Sequence, residues 1–388
     1  MSDQLKELTL DLKALPGSGL WTGDAALNMS YIKATSILGG LRFWTEALLR
    51  SLGQDVCHDQ GRCTFSKKEG KACACCSIFG CTGLSRQFAL MAESPEVTGL
   101  EEKVRLSQRQ HDGETPYYLF KSGHTDAWKL SLVSRRPEYL GRDEKGTAMF
   151  GKVGLPPAVI AALALMLKFG TFGARDQYNC GLMEAVSGKK ELFEAARAAI
   201  DALPSGSVAD TAFPDLRDFF FFKGKACLNE TAPNHHNTLC ALLRHDIRNV
   251  VRAEAPKHPS CREDRKGDRA YKDEFQAFRH WFCGFMPKKG KKPPVQGTHI
   301  NIGVLTDGRF YGWGWYPKGH EKYGKAREGV LKAIKAFVEG APHPAVAEAM
   351  RDKEGYSVSH GEWLDLRDRA GDWKAALSSL LNDDCGWR

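Results

Sequence analysis

Apolar and polar residues alternate at the start of the chain, with Leu8, Leu10 and Leu12 set against Thr9, Asp11 and Lys13. A period of two is that of a half-buried strand. A small and polar stretch follows from Pro16 to about Ser36. The spacing then becomes helical, with Leu38, Leu41, Trp44, Leu48 and Leu52 recurring on one face. A second alternating segment, Trp128, Leu130 and Leu132, is flanked by Lys129 and Ser131 inside a variable stretch rich in Gly, Ser and charge. From Pro156 to Phe169 the pattern predicts another helix. Prolines stand at its entry, an aliphatic body follows, and Gly170 comes just past its end.

A break at Leu203-Pro-Ser-Gly206 marks a boundary between halves, giving 1–203 and 204–388. The second half opens with strand-like Phe219 to Phe222, Cys227 and Leu228. A helix from about Leu239 to Val251 follows, then a charged stretch from Pro256 to Asp268. Another helix is expected around Phe275 to Phe282, before the basic Lys288–Lys292 loop. His299 to Leu305 and Arg309 to Tyr316 read as a hairpin turned at Asp307-Gly308, and helical segments are expected to close the chain. Leu41-Arg42 leads to Leu48-Leu49-Arg50 much as Leu243-Arg244 leads to Val250-Val251-Arg252. Each helix follows a predicted strand and a small, polar loop. The echo points to a duplicated domain.

Composition narrows the class without deciding it. Hydrophobic residues make up 42% and charged ones 26% of 388 residues, ordinary values for a globular protein. The net charge of +8 allows a polyanionic partner but does not demand one. The start MSDQLKELTL lacks the apolar core of a secretory signal. The longest apolar run, Ala158 to Leu167, is too short to cross a bilayer. Cytoplasm is the compartment expected.

Half of the 12 cysteines crowd between Cys57 and Cys81. Such crowding favours a metal over a disulfide framework. Zinc needs four ligands in a tetrahedron, and two close pairs supply them with little loop entropy. Cys73 and Cys76 form a C-x-x-C knuckle; Cys57 and Cys63 are the looser upstream pair. These four are the expected ligands of a structural zinc in an insertion spanning about 55–82. Cys75 and Cys81 are spares, and His58 is an alternative to either upstream cysteine. The loop carries Lys67, Lys68, Glu69, Gly70 and Lys71, so it has almost no core of its own and needs a staple.

Arg244, Arg248 and Arg252 are spaced four apart, on one face of a helix. Like charges so placed oppose the helix, which suggests an anion, and phosphate backbone is the commonest. A solvated face opposed by acids from another element is the alternative. Arg42 and Arg50 form the matching row in the first half, but Glu46 between them also allows a plain ion-pair ladder. The loop from Gly170 to Gly181 mixes Gly170 and Gly173 with Arg175, Gln177, Tyr178 and Asn179. Its glycines let backbone N–H groups approach phosphates, though a helix cap and an ordinary turn explain them too. Trp44, Phe43 and the Gly312–Trp315 run are candidate stacking surfaces or core.

Three of these segments together resemble the RAMP superfamily, the repeat-associated proteins of CRISPR effectors. Within it they are most similar to the first-subunit group of type III-B effectors. Gly39-Gly-Leu-Arg-Phe-Trp44 with Arg50 resembles the first-helix pattern. Cys73-x-x-Cys76-Ser-Ile-Phe79-Gly80 resembles a C-x-x-C-x-x-Phe-Gly element. Gly170-x-x-Gly173-Ala-Arg175 resembles the glycine-rich loop, although Asp176-Gln-Tyr-Asn-Cys stands where the family continues with basic residues and glycine.

The resemblance implies an α+β fold of two tandem ferredoxin-like (RRM-like) RAMP domains, the first carrying the zinc-knuckle insertion and the second a helical tail. It implies an RNA-binding structural subunit of a type III CRISPR effector ribonucleoprotein in antiviral defence. The expected partners are the guide RNA, through its 3′ portion, single-stranded target RNA and other RAMP subunits. Arg42, Trp44, Arg50, Gly170, Gly173, Arg175, Gln177, Arg244, Arg248 and Arg252 are the expected RNA-binding residues. No catalytic constellation stands out, although Asp24 and Asp176 lie in loops near the proposed RNA face. Two other readings remain: a metal-independent RAMP endoribonuclease using His58, His235 or His236 as base, and a zinc-stabilised protein–protein adaptor.

Overall fold

Strand β1 (Glu7–Ala14) buries Leu8, Leu10, Leu12 and Ala14 and turns Glu7, Thr9 and Lys13 to solvent. The computed structural model describes residues 5–23, 29, 31–57, 63, 65, 72–94, 101–105, 117–121, 123–135, 137–142, 148–152, 154–174, 179–208, 211–229, 235–259, 276–284, 298–351, 355–369 and 372–382. Helices α1 (Ala34–Ser51) and α2 (Ala74–Phe79) come next. Strands β2 (Phe88–Glu93), β3 (Glu101–Arg105), β4 (Tyr117–Lys121), β5 (Trp128–Ser134), β6 (Pro137–Arg142) and β7 (Ala148–Lys152) follow. Helix α3 (Pro157–Phe169), strand β8 (Met183–Ser187) and helix α4 (Lys189–Ala202) complete the first half. The second comprises β9 (Phe219–Leu228), α5 (His235–Glu254), α6 (Gln276–Cys283), β10 (Ile300–Val304), β11 (Arg309–Trp315), α7 (Arg327–Glu339), α8 (Pro344–Ala349), β12 (Tyr356–Asp365) and α9 (Trp373–Leu380).

Two four-stranded sheets organise the chain, ordered β2-β5-β1-β8 and β10-β11-β9-β12, with every pairing antiparallel. With their helices, the halves run β1-α1-β2-β5-α3-β8 and β9-α5-β10-β11-α7-β12. Both are β-α-β-β-α-β units with the first strand between the third and the fourth. The β3–β4 and β6–β7 ribbons are insertions of the first half.

Alternation along β9 decides how the halves pack. Phe219 and Phe221 face one way and join Trp44, Phe169 and the leucines of β1 in one core. Phe220 and Phe222 face the other way, against α5 and α7. The helices α1 and α3 are therefore held between the two sheets. That position explains why α3 buries every residue from Ala158 to Phe169: a helix covered on all sides needs an apolar surface all round. Among the described residues no helix is long and apolar enough to cross a membrane.

Three expectations need correcting. The chain does not close on helices alone, because β12 forms an edge strand on β9. Its register shifts between Ser359 and Glu362, and this irregularity breaks the alternation by which a strand is recognised. Second, the closing helix α9 packs on the first half rather than the second. Leu377, Leu380 and Leu381 enter the core of α1 and α3, and Trp373 Nε1 donates to Ser51 Oγ at 3.0 Å. Third, Trp44 and the Gly312–Trp313 segment lie inside the sheet–helix interface. Trp44 is 1% exposed, with ring centroids 5.3 Å from Phe219 and 5.4 Å from Trp313, so neither of its faces is open to a base.

Candidate metal cluster and arginine face

The loop after α1 carries the cysteines, and α2 brings two of them to one point. Cys73 caps α2 and its Sγ accepts from the backbone N–H of Cys76 at 3.3 Å. The sulfurs of Cys57, Cys63, Cys73 and Cys76 lie within 4.8 Å of one another, the four cysteines the spacing selects. Cys57 and Cys76 are 3.6 Å apart. Metal–sulfur bonds of about 2.3 Å set at tetrahedral angles place ligands roughly 3.8 Å apart, so the donor set fits one ion. Cys75 turns the opposite way, its Sγ 3.8 Å from Glu46 Oε1. His58 lies outside the described residues.

Burial pushes the Cys57 thiol up to about 11, with the Cys73 thiol adding to it and the hydrogen bond with Cys76 opposing it. Burial also raises the Cys76 thiol. At Cys73 burial pushes upward too, but hydrogen bonds from the Cys57 and Cys76 backbones outweigh it and hold the thiol low.

The arginine row of α1 faces this cluster. Arg42 Nε donates to Glu46 Oε1 at 2.9 Å and its Nη2 to Cys76 Sγ at 3.2 Å. Arg50, 7% exposed, donates to Glu46 Oε2, to the Cys57 carbonyl at 3.2 Å and to the Pro214 carbonyl at 2.9 Å. Both guanidinium groups thus donate to acceptors within the protein. The ladder through Glu46 that the sequence allowed is formed.

Gly170 and Gly173 also serve the fold. A Cβ on Gly170 would sit 2.5 Å from the Trp44 indole. Gly173 has φ +76, and a Cβ there would meet the Trp21 carbonyl at 2.3 Å. The loop is stitched to the segment after β1, with Ala174 N donating to Trp21 O and Gly181 N to Gly19 O. Arg175 and Gln177, with Asp176, Tyr178 and Asp24, lie outside the described residues, as does the Lys288–Lys292 loop. His235 contacts the Thr306 carbonyl, and a Cβ on Gly17 would lie 3.1 Å from the His236 ring, so both histidines pack at the seam between the halves.

On α5 the arginines behave differently. Arg244 is buried and Arg248 and Arg252 are half-buried. Arg244 and Arg248 border a narrow cleft with Ile247, Cys283, Thr298, Ile300 and Ile302. The cleft holds only about 10 Å³, too small to enclose a phosphate, so any anion meets these groups at the rim. Burial raises the Cys283 thiol, opposed by the nearby guanidinium groups of Arg248, Arg279 and Arg244. Arg279, on α6, adds its charge near the same thiol, and no sequence period links it to α5. Asp246 accepts from the Tyr356 hydroxyl at 3.0 Å, and Glu254 pairs with Lys257 at 2.6 Å.

A protein of two β-α-β-β-α-β halves, with a cysteine tetrad in the first and an arginine row on α5 in the second, is thereby defined. Residues 17–184 match the family model of the RAMP superfamily, so this segment of the chain is RAMP-like in sequence. No curated protein matches the sequence. Among solved structures, Cmr1 from Pyrococcus furiosus in its apo form is 14% identical with a TM-score of 0.38, covering 85% of this chain and 96% of that one. A chain in the cryo-EM structure of the Type III-B Cmr-beta bound to cognate target RNA and AMPPnP, in the presence of ssDNA, is 12% identical with a TM-score of 0.41. That match covers 87% of this chain and all of the other.

Proposed function

We propose that the chain is a non-catalytic, RNA-binding structural subunit of a type III CRISPR effector ribonucleoprotein, made of two ferredoxin-like RAMP halves. The RAMP match of residues 17–184, the three motif segments and the repeated topology support the class. The observation that carries the RNA reading is the placing of Arg244 and Arg248 on one face of α5, along a cleft shared with Cys283. Guanidinium groups at a rim suit a phosphate backbone followed by shape and charge. Guide RNA, target RNA and other RAMP subunits are the partners in this reading.

Zinc is the ion proposed for the four cysteines, because a soft sulfur tetrad near tetrahedral spacing is its usual structural site. Its role there is to staple a polar loop.

The test is a salt series of single-stranded RNA binding. Wild-type protein should bind with little sequence preference, and affinity should fall as salt rises. Arg248→Ala should weaken binding about tenfold and flatten the log–log salt dependence by about 0.7, the value of one single-strand phosphate contact. Affinity and slope unchanged in Arg248→Ala and in the Arg248→Ala/Arg252→Ala double variant would overturn the placement of RNA on this face.

A further inference from the structure

We propose that Arg42 and Arg50 are positioning residues of the metal cluster: Arg42 holds the Cys76 thiolate, and Arg50 ties the metal-bound loop to the linker between the two halves. The inference rests on the reading of Cys57, Cys63, Cys73 and Cys76 as a metal site.

Helix α1 grips the cluster at two points. Arg42 Nη2 reaches the sulfur of Cys76 at 3.2 Å, and Arg50 Nη2 reaches the backbone carbonyl of Cys57 at 3.2 Å. Glu46 stands between the arginines, accepting from both, and Cys75 turns its thiol onto the same carboxylate. Consecutive cysteines therefore face opposite ways, Cys76 to the metal and Cys75 to the helix. Four thiolates around a divalent ion leave two negative charges in a largely buried place. A guanidinium N–H on one sulfur spreads part of that charge and fixes the direction of the sulfur lone pairs. Against a neutral thiol the same contact is weak, so it strengthens when the metal binds.

The ladder does not stop at the loop. Arg50 Nη1 donates to the Pro214 carbonyl at 2.9 Å, and its guanidinium lies 5.7 Å from the Phe213 ring. Next in the chain, Asp215 caps the turn Leu216–Asp218 that leads into β9. β9 carries Phe219 and Phe221 into the interface with α1 and α3. One guanidinium thus holds a metal ligand's backbone and the entry to the second half together. Metal occupancy then sets how firmly the linker is held.

Metal affinity, a cobalt spectrum and linker exchange test this. A chromophoric chelator competing for zinc should show about 10- to 100-fold weaker binding by Arg42→Met, with Arg42→Lys in between. In the cobalt(II)-loaded protein, the thiolate-to-cobalt charge-transfer band should shift in Arg42→Met. A folding defect would abolish the band rather than move it, and Arg42→Lys serves if the Met variant does not fold. Hydrogen exchange at 215–218 should rise at least tenfold when wild type is stripped of metal. Arg50→Met should show that faster exchange while loaded and change no further on stripping. Wild type that binds no metal would overturn the site itself. Metal bound at full stoichiometry, with affinity and band unchanged in Arg42→Met or exchange insensitive to stripping, would overturn only the positioning role.

Discussion

The side-chain amide of Asn179 pairs with the backbone of Val304 as a strand would. Its Oδ1 accepts from Val304 N at 2.6 Å, and its Nδ2 donates to Val304 O at 2.9 Å. Nδ2 also donates to the Gly17 carbonyl at 2.8 Å. One residue of the glycine-bearing loop therefore joins the segment after β1 to the hairpin of the second half. It does so from a left-handed backbone at φ +62, which Asn tolerates better than most residues.

Asn179→Ala should destabilise the protein by about 3 kcal/mol, since it strands the buried N–H and C=O of Val304 and keeps the positive φ without the amide. Urea unfolding should show a lower midpoint at an unchanged slope. Asn179→Asp should be at least as damaging at neutral pH, because a carboxylate would face the carbonyls of Gly17 and Val304.

Trp44 and Gly170 form one packing unit, so each variant should act on stability and not on RNA. Trp44→Ala should cost about 3–5 kcal/mol by opening a cavity between the sheets. Gly170→Ala should cost about 1–3 kcal/mol by forcing a methyl into the indole. RNA affinity per folded molecule should stay at the wild-type value in both, read by anisotropy below the melting transition. A selective loss of RNA binding in folded Trp44→Ala would restore a stacking role.

Metal content should separate the cysteines into two groups. Cys57→Ser, Cys63→Ser, Cys73→Ser and Cys76→Ser should each lose most of one zinc per chain, measured by elemental mass spectrometry. Cys75→Ser should retain it, since that thiol faces Glu46. A chelator should lower the melting temperature of wild type more than that of Cys73→Ser.

His299 gives a pH dependence of known sign. Burial pushes its ring down to about 3, and its Nδ1 lies out of water without a hydrogen-bond partner. The ring packs at a tilt against Trp315, with centroids 4.1 Å apart. The folded state thus keeps it neutral where the unfolded chain protonates it, from about 6.5 downward. Its contribution is complete above 6.5 and is lost as pH falls towards 3. Relative to His299→Phe, wild type should lose up to about 1.4 kcal/mol per pH unit across that window. Denaturation midpoints of the two proteins at pH 7.5, 5.5 and 4.5 check this, and parallel midpoints would rule it out.

Elements that carry their own period were legible. β1, α1, β5, α3 and the β10–β11 hairpin all lie where alternation, helical spacing or a turn signal puts them. β8 and β12 were not read, because both are edge strands with one face in water, and β12 is broken by its irregularity. The cysteine tetrad was readable because a knuckle and a nearby pair state their geometry in their spacing. The surroundings of the Arg42–Arg50 row were not legible, for the opposite reason. A row of like charges shows which face it occupies but not what stands opposite, and here the neighbour is the cysteine loop.

By itself the sequence determined many of the local elements, the repeated opening of the two halves and the four cysteines that come together, because these depend on short-range periods and spacings. Only the tertiary structure decided that the first half's helices lie between two sheets, that Trp44 is core, and that Arg244 and Arg248 border a cleft with Cys283. Those outcomes depend on which surfaces meet, and burial of β9 on both faces settles that across distances no local pattern spans.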